Sequence, residues 1–123
     1  MPVTPSDLAS LTTIMRAAAT ARILPRFRNL ETDDVSTKSG PADLVTLADV
    51  EAEADMTAAL RLAMPGALVV GEEAVAADPH LLDGLADADS AVILDPVDGT
   101  WNFAKGLSLF GMIAAVTEKG LPV

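Results

Sequence analysis

Cysteine is absent from this 123-residue sequence, and His80 is its only histidine. Disulfides and thiolate metal sites are therefore excluded, and the usual zinc ligand sets cannot be assembled. Aromatic residues are scarce, at 3% against 50% hydrophobic residues overall. Ala, Leu and Val must therefore fill the core of what is long enough to be one domain. Basic residues are also few, 8 Lys and Arg against 18 Asp and Glu, for a net charge of −10. A field of that sign repels nucleic-acid phosphates and argues against a nucleic-acid partner. It leaves a small phosphorylated ligand open, because a bound metal reverses the local potential. Long apolar runs are missing too: the longest, Leu107 to Val116, is interrupted by Ser108 and Gly111 and is too short to cross a bilayer. Met1 to Asp7 has neither the basic start nor the apolar core of a signal peptide. No membrane partner and a cytoplasmic location are the expectations.

What is present reads as alternating helices and strands. Thr4-Pro5-Ser6-Asp7 is a helix start, with Thr4 as cap and Pro5 at the first helical position. Leu8, Leu11, Met15, Ala18, Ile23 and Phe27 follow at near-helical spacing, and Pro25 is expected to kink or end that helix. A short strand is expected around Val35 to Lys38, and a second helix from the Asp43 to Asp49 segment to about Met64. Thr46 and Asp49 form a capping pair by their spacing. Pro65-Gly66 breaks that helix, and Ala67 to Val70 reads as a strand. Ala74 to Asp89 reads as surface, with one helical stretch at Leu81 to Leu85 and an exposed loop His80. Another strand is expected over Ala91 to Leu94, a short helix around Asn102 and Phe103, and a long strand over Leu107 to Thr117. Glu118-Lys119-Gly120 then turns tightly into a further strand at Leu121.

The chemistry concentrates after two of these apolar runs. Ala91 to Leu94 delivers Asp95 and Asp98 onto a segment read as a turn, fixed by Pro96 and released by Gly99; Ala67 to Val70 delivers Glu72 and Glu73. Acids gathered at strand ends repel one another unless a cation stands between them. Hard divalent cations such as Mg²⁺ prefer such oxygen ligands. An Asp-Pro-x-Asp-Gly segment is also simply a good turn, so the motif by itself leaves both readings open.

The whole string Asp95-Pro96-Val97-Asp98-Gly99-Thr100-Trp101-Asn102-Phe103, with Gly71-Glu72-Glu73 upstream and Asp43-Leu44-Val45-Thr46 before the second helix, resembles the signature of the inositol monophosphatase family of magnesium-dependent, lithium-sensitive phosphatases. The family string usually has a second threonine where this chain has Trp101. The resemblance implies an α+β fold, with helices packed on a mainly antiparallel sheet. It implies that Glu72, Asp95 and the Val97 carbonyl hold one Mg²⁺ and that Asp95 with Asp98 holds another. It further implies that Thr100, hydrogen-bonded to Asp49, positions and deprotonates the attacking water with help from Glu72, while the N–H groups of Gly99 and Thr100 cradle the phosphate. Lys38 is implied to approach the same site. Glu73 is treated as secondary, because it points to the opposite face if its segment stays extended.

Members of that family are about twice this length, a size at which chains divide into two packed halves. Residues 1–123 are thus expected to be the N-terminal metal-binding half, with the C-terminal half, which carries a tryptophan-aspartate segment completing the second metal site, absent. The expected activity is Mg²⁺-dependent hydrolysis of a small phosphate monoester, inositol monophosphate first. The alternatives are a related phosphatase acting on a nucleotide 3′-phosphate, sugar bisphosphate or histidinol phosphate, and a catalytically incomplete cation-binding fragment. With that half missing, an apolar sheet face left open is expected to pair the chain with its own copy as a homodimer or to make it aggregate.

Overall fold

A computed structural model describes residues 2–123. The first helix, α1 (Pro5–Ala18), starts where the sequence placed it: the Thr4 hydroxyl accepts from the Asp7 N–H, and the Asp7 carboxylate accepts from the Thr4 N–H. After Ala18 the coil loosens into a wide turn over Ala19–Ile23 and tightens over Leu24–Arg26, so Pro25 ends the helical run as expected. Leu11, Ala18 and Ile23 are buried, whereas Leu8 is 41% exposed and is not a core residue. Two short strands follow, β1 (Val35–Thr37) and β2 (Leu44–Thr46), paired antiparallel. β2 was read as the start of a helix. The helix α2 (Leu47–Ala63) begins only after Thr46, which caps it through the expected reciprocal bonds with Asp49.

Four strands make the main sheet: β3 (Leu68–Gly71), β4 (Ala91–Asp98), β5 (Gly111–Glu118) and β6 (Leu121–Pro122), in that spatial order. β3 and β4 are parallel; the β4–β5 and β5–β6 pairings are antiparallel. The architecture is therefore the expected α+β one, a mainly antiparallel set of strands under helices. Between β3 and β4 the chain forms α3 (Glu72–Ala77) and a tight turn of helix at Pro79–Leu82, where a helical stretch had been placed later, at Leu81 to Leu85. His80 is exposed there, as anticipated. β5 starts at Gly111, not at Leu107, and Lys119 and Gly120 take the positive φ values that close its hairpin with β6.

The core lies between α2 and the sheet: Ala48, Ala52, Met56 and Leu60 on α2 meet Val92, Leu94 and Val97 of β4. The chain's three phenylalanines gather in one cluster. Phe103 packs edge-on to Phe110 at 5.0 Å between centroids, and Phe27 stands 5.1 Å from Phe110. Phe103 belongs to α4 (Thr100–Ala104) and is fully buried, so this cluster anchors the helix that carries Thr100. The other face of β5 is less covered, with Gly111, Ile113 and Ala115 exposed. No helix among the described residues is long and apolar enough to cross a membrane.

Phe103→Ala is expected to cost about 3–5 kcal/mol, the usual penalty for emptying a large buried aromatic site. Urea unfolding monitored by circular dichroism reads this directly; a loss under about 1 kcal/mol, the scale of an ordinary surface change, contradicts the anchoring role given to the cluster.

Candidate metal centre

Parallel pairing of β3 with β4 runs Leu68↔Ala91 to Gly71↔Leu94. Glu72, the first residue after β3, and Asp95 of β4 come next, and this register brings their backbones close. β4 does not turn at Asp95 as the sequence reading had it. It continues through Pro96 to Asp98, with a bulge against β5 between Asp95 and Asp98. Residues three apart on a regular strand face opposite ways; the extra residue in the bulge lets Asp95 and Asp98 line one cleft. Pro96, which has no N–H to give, is tolerated in a central strand because it falls in this unpaired stretch. Gly99 then takes φ 85°, the left-handed conformation that favours glycine, and starts α4.

The cleft has a volume of about 260 Å³, and its walls include Glu72, Asp95, Val97, Asp98, Gly99, Thr100 and Trp101. Every metal, phosphate and catalytic residue expected from the sequence lies in it except Asp49, which reaches it from below. Asp49 is fully buried. One of its oxygens, Oδ2, accepts from the Thr46 N–H at 2.9 Å and the Thr46 hydroxyl at 2.6 Å. Its other oxygen, Oδ1, lies 2.9 Å from the Thr100 hydroxyl, which is also 2.8 Å from the Val97 carbonyl. Capping and a place at the site are therefore compatible for Asp49, each using its own oxygen.

Two features depart from expectation. The condition set for Glu73 is not met, because the chain leaves the extended conformation at Gly71 and is helical from Glu72; Glu73 stays outside the walls of the cleft but reaches the same cation as Glu72. The Lys38 ammonium stands 3.0 Å from Glu73 and 3.4 Å from Glu72, so both carboxylates share one cation. Burial disfavours the Lys38 charge, but the hydrogen bond and charge of Glu73, with those of Glu72, outweigh it and hold the ammonium above its usual pKa. The second departure is Glu53, which the sequence reading passed over. It sits four residues after Asp49 on α2, a spacing that places both on one helix face, and is 6% exposed with its carboxylate on the α3 backbone.

Asp95 Oδ1 is buried and has no hydrogen-bond partner. An acceptor left unsatisfied in a native interior calls for an explanation, such as a bound ion, and the polar side chains that share its cleft, Glu72, Asp98 and Thr100, offer oxygen, the donor a hard divalent cation takes. The donor set fits such an ion. Among the described residues, however, no three acidic or histidine side chains already close around one point. Asp98 is exposed at the end of its strand, and Glu72 leans on Lys38. Holding a cation requires these side chains to move, Glu72 foremost.

A parallel strand pair ending in neighbouring carboxylates, bulged so that a third acid and a carboxylate-bound threonine share the cleft, defines an α+β protein with an oxygen-donor site at its strand ends. A family profile described as "Inositol monophosphatase family" matches residues 6–123. The chain belongs to the inositol monophosphatase family, a phosphatase family. It is 35% identical over 86 residues to an inositol-1-monophosphatase of Bacillus subtilis, covering 70% of this chain and 31% of that protein. It is 37% identical over 109 residues to a Nus factor SuhB of Pseudomonas aeruginosa, covering 86% of this chain and 38% of that one. Among solved structures, an IMPase of Thermotoga maritima superposes with a TM-score of 0.78 at 26% identity, over 95% of this chain and 41% of the other. An inositol monophosphatase of Zymomonas mobilis gives 0.68 at 31% identity, over all of this chain and 43% of the other. The chain thus spans about a third to two fifths of the length of these relatives.

Burial, then the adjacent Glu72, and then the charges of Asp98 and Asp49 push the Asp95 carboxyl up to about 7 from an ordinary 3.8. An acid with a raised folded pKa binds its proton more tightly when folded, so its contribution to stability is complete below the unfolded value and is lost as pH rises through the folded one. In EDTA the melting temperature is expected to fall between about pH 4 and pH 7, and Asp95→Asn is expected to flatten that slope. A slope unchanged in the variant, read by thermal unfolding across the pH series, contradicts the burial of an unpartnered carboxyl at this position.

Proposed function

We propose that this chain is the N-terminal, cation-binding half of a phosphatase that hydrolyses a small phosphate monoester, inositol monophosphate first among the candidates. The observation that carries the reading is the unpartnered Asp95 Oδ1 in a cleft shared with Glu72, Asp98 and the Thr100–Asp49 pair. Glu72, Asp95, the Val97 carbonyl and Asp98 would hold Mg²⁺. When bound, that ion supplies positive charge for the phosphoryl oxygens and the leaving alkoxide and makes water a better acid.

The remaining chemistry belongs to the side chains. The Thr100 hydroxyl has one proton and two acceptors in reach, Asp49 Oδ1 and the Val97 carbonyl. Donating to Asp49 leaves its lone pairs free to accept from a water in the cleft. A proton can then pass from that water to Thr100 Oγ1 while the threonine proton moves to Asp49, with Glu72 assisting from the other wall. Thr46 holds the second Asp49 oxygen and prevents the carboxylate from swinging away. The N–H groups of Gly99, the N-cap of α4, and of Thr100, its first residue, have no partner within the helix and suit the phosphate. Trp101 is 43% exposed at the mouth of the cleft; it stands beside the phosphate position and removes no ligand.

A second reading, a cation-binding half that needs residues beyond its own for turnover, is favoured by one observation: no three acids close around a point. Phosphate release from inositol 1-phosphate and other monoesters, with and without Mg²⁺, separates the two. Mg²⁺-dependent turnover that Asp95→Asn abolishes and Thr100→Ala lowers by about 10²–10⁴-fold supports the phosphatase. Mg²⁺ binding without turnover supports the incomplete half, and absence of Mg²⁺ binding contradicts both.

The homodimer is proposed on apolar residues left exposed on and beside the outer strands: Ile113 on the open face of β5 is 50% exposed, Leu109 before that strand 81% and Leu121 of β6 70%. Light scattering is expected to give twice the 12.7 kDa chain mass; a monomer across the micromolar range contradicts the dimer and leaves the site untouched.

A further inference from the structure

We propose that Glu53 is a positioning residue for the metal centre: it fixes the break between β3 and α3 and thereby sets where the Glu72 carboxylate stands. The inference rests on the reading that Glu72 holds a divalent cation. Its evidence is a contact between two residues neither of which lines the cleft.

Gly71 is the N-cap of α3 and offers no side chain to the N–H groups that open the helix. Those of Glu73 and Ala74 instead donate to the two carboxylate oxygens of Glu53, at 2.7 Å and 2.9 Å. Glu53 comes from α2 and is 6% exposed; among the described residues no cation pairs with it. These two N–H groups are its hydrogen-bond partners, as a buried carboxylate requires. The backbone of Gly71, at φ −106° and ψ 150°, is open to any residue, so backbone freedom does not explain the glycine. Space does. A Cβ at residue 71 would lie 2.1 Å from Glu53 Cδ and 2.5 Å from Oε1. The missing side chain of Gly71 and the carboxylate of Glu53 fill one volume, and a larger residue would displace the cap.

The consequence falls on the next residue. Glu72 follows Gly71, which is registered with Leu94, immediately before Asp95. With the Glu53 cap in place the chain turns helical at Glu72, and Glu72 and Glu73 both reach Lys38. Without it the segment is free to run on extended, which sends successive side chains to opposite faces. Glu53 acts on the centre only through this turn.

The test is a calorimetric titration of the 123-residue chain with Mg²⁺, each variant held at a temperature where circular dichroism shows it folded. Glu53→Gln, which keeps the shape but loses one acceptor, and Gly71→Ala, which expels the carboxylate, are each expected to weaken Mg²⁺ binding about 10-fold or more, the scale seen when partners behind metal ligands are changed. Because both remove one contact, the double variant is expected to be no worse than the weaker single. Glu53→Ala combined with Gly71→Ser, where the serine caps the helix locally, is expected to fold and to bind within a few-fold of the parent.

Singles that lower the melting temperature yet bind Mg²⁺ as the parent does would overturn the inference, reducing Glu53 to a stabilising contact. So would losses that add in the double variant, or a serine pair that fails to fold or to bind. A parent chain that binds no Mg²⁺ refutes the metal centre itself, and this inference with it. A parent that binds, with Glu53→Gln unchanged, refutes only the role of Glu53.

Discussion

The register of two parallel strands governs everything else in this molecule. Once Gly71 lies opposite Leu94, Glu72 and Asp95 are neighbours, and the Glu72 carboxylate is placed where it disfavours the charge of the half-buried Asp95. Neither hydrophobic burial nor hydrogen bonding within the protein relieves that conflict: the apolar run that makes β4 a buried strand also drags Asp95 inward until one of its oxygens has no partner. The stability of the strand pair and the discomfort of the acid are consequences of the same sequence run. Such unsatisfied groups are maintained where a surrounding core over-determines them, and here the core is α2 packed on β4.

The surrounding elements spend their side chains on holding this arrangement still. Thr46 ends β2, caps α2 and grips one oxygen of Asp49, which leaves the other for Thr100. Thr100 is fixed from the opposite direction by Phe103, one turn along α4, buried in the phenylalanine cluster. Lys38 arrives from the end of the β1 strand and balances Glu72 and Glu73. A divalent ion held by Glu72, as proposed, would compete with Lys38 for that carboxylate.

Much of this was legible in the residues. The capping pair at Thr46 and Asp49, the helix start at Thr4, the breaks at Pro25 and Pro65-Gly66 and the hairpin at Lys119-Gly120 all follow from local chemistry that neighbouring residues specify. The acids of the cleft were legible through their positions after apolar runs and their resemblance to a family string. What escaped depended on distant parts of the chain. Leu44 to Thr46 became a strand because Val35 to Thr37 pairs with it, and so short a run shows no period that separates strand from helix. Pro96 read as a turn because the bulge that accommodates it is a property of the β4–β5 pairing. The helical turn that lets Glu73 share Lys38 with Glu72 is not local in origin: its first N–H groups are held by Glu53, far back on α2, beside the empty space at Gly71.

The central claim is that the strand-end acids, with Asp95 at their centre, take a single kind of partner, a divalent cation. The most direct measurement is anomalous diffraction from crystals of this chain soaked in Mn²⁺, a Mg²⁺ surrogate with a usable signal. A peak in the cleft bonded to Asp95 Oδ1 is expected, with Glu72 turned from Lys38 toward the ion. A map with no peak there, or one with manganese elsewhere and Asp95 still unpartnered, would contradict it.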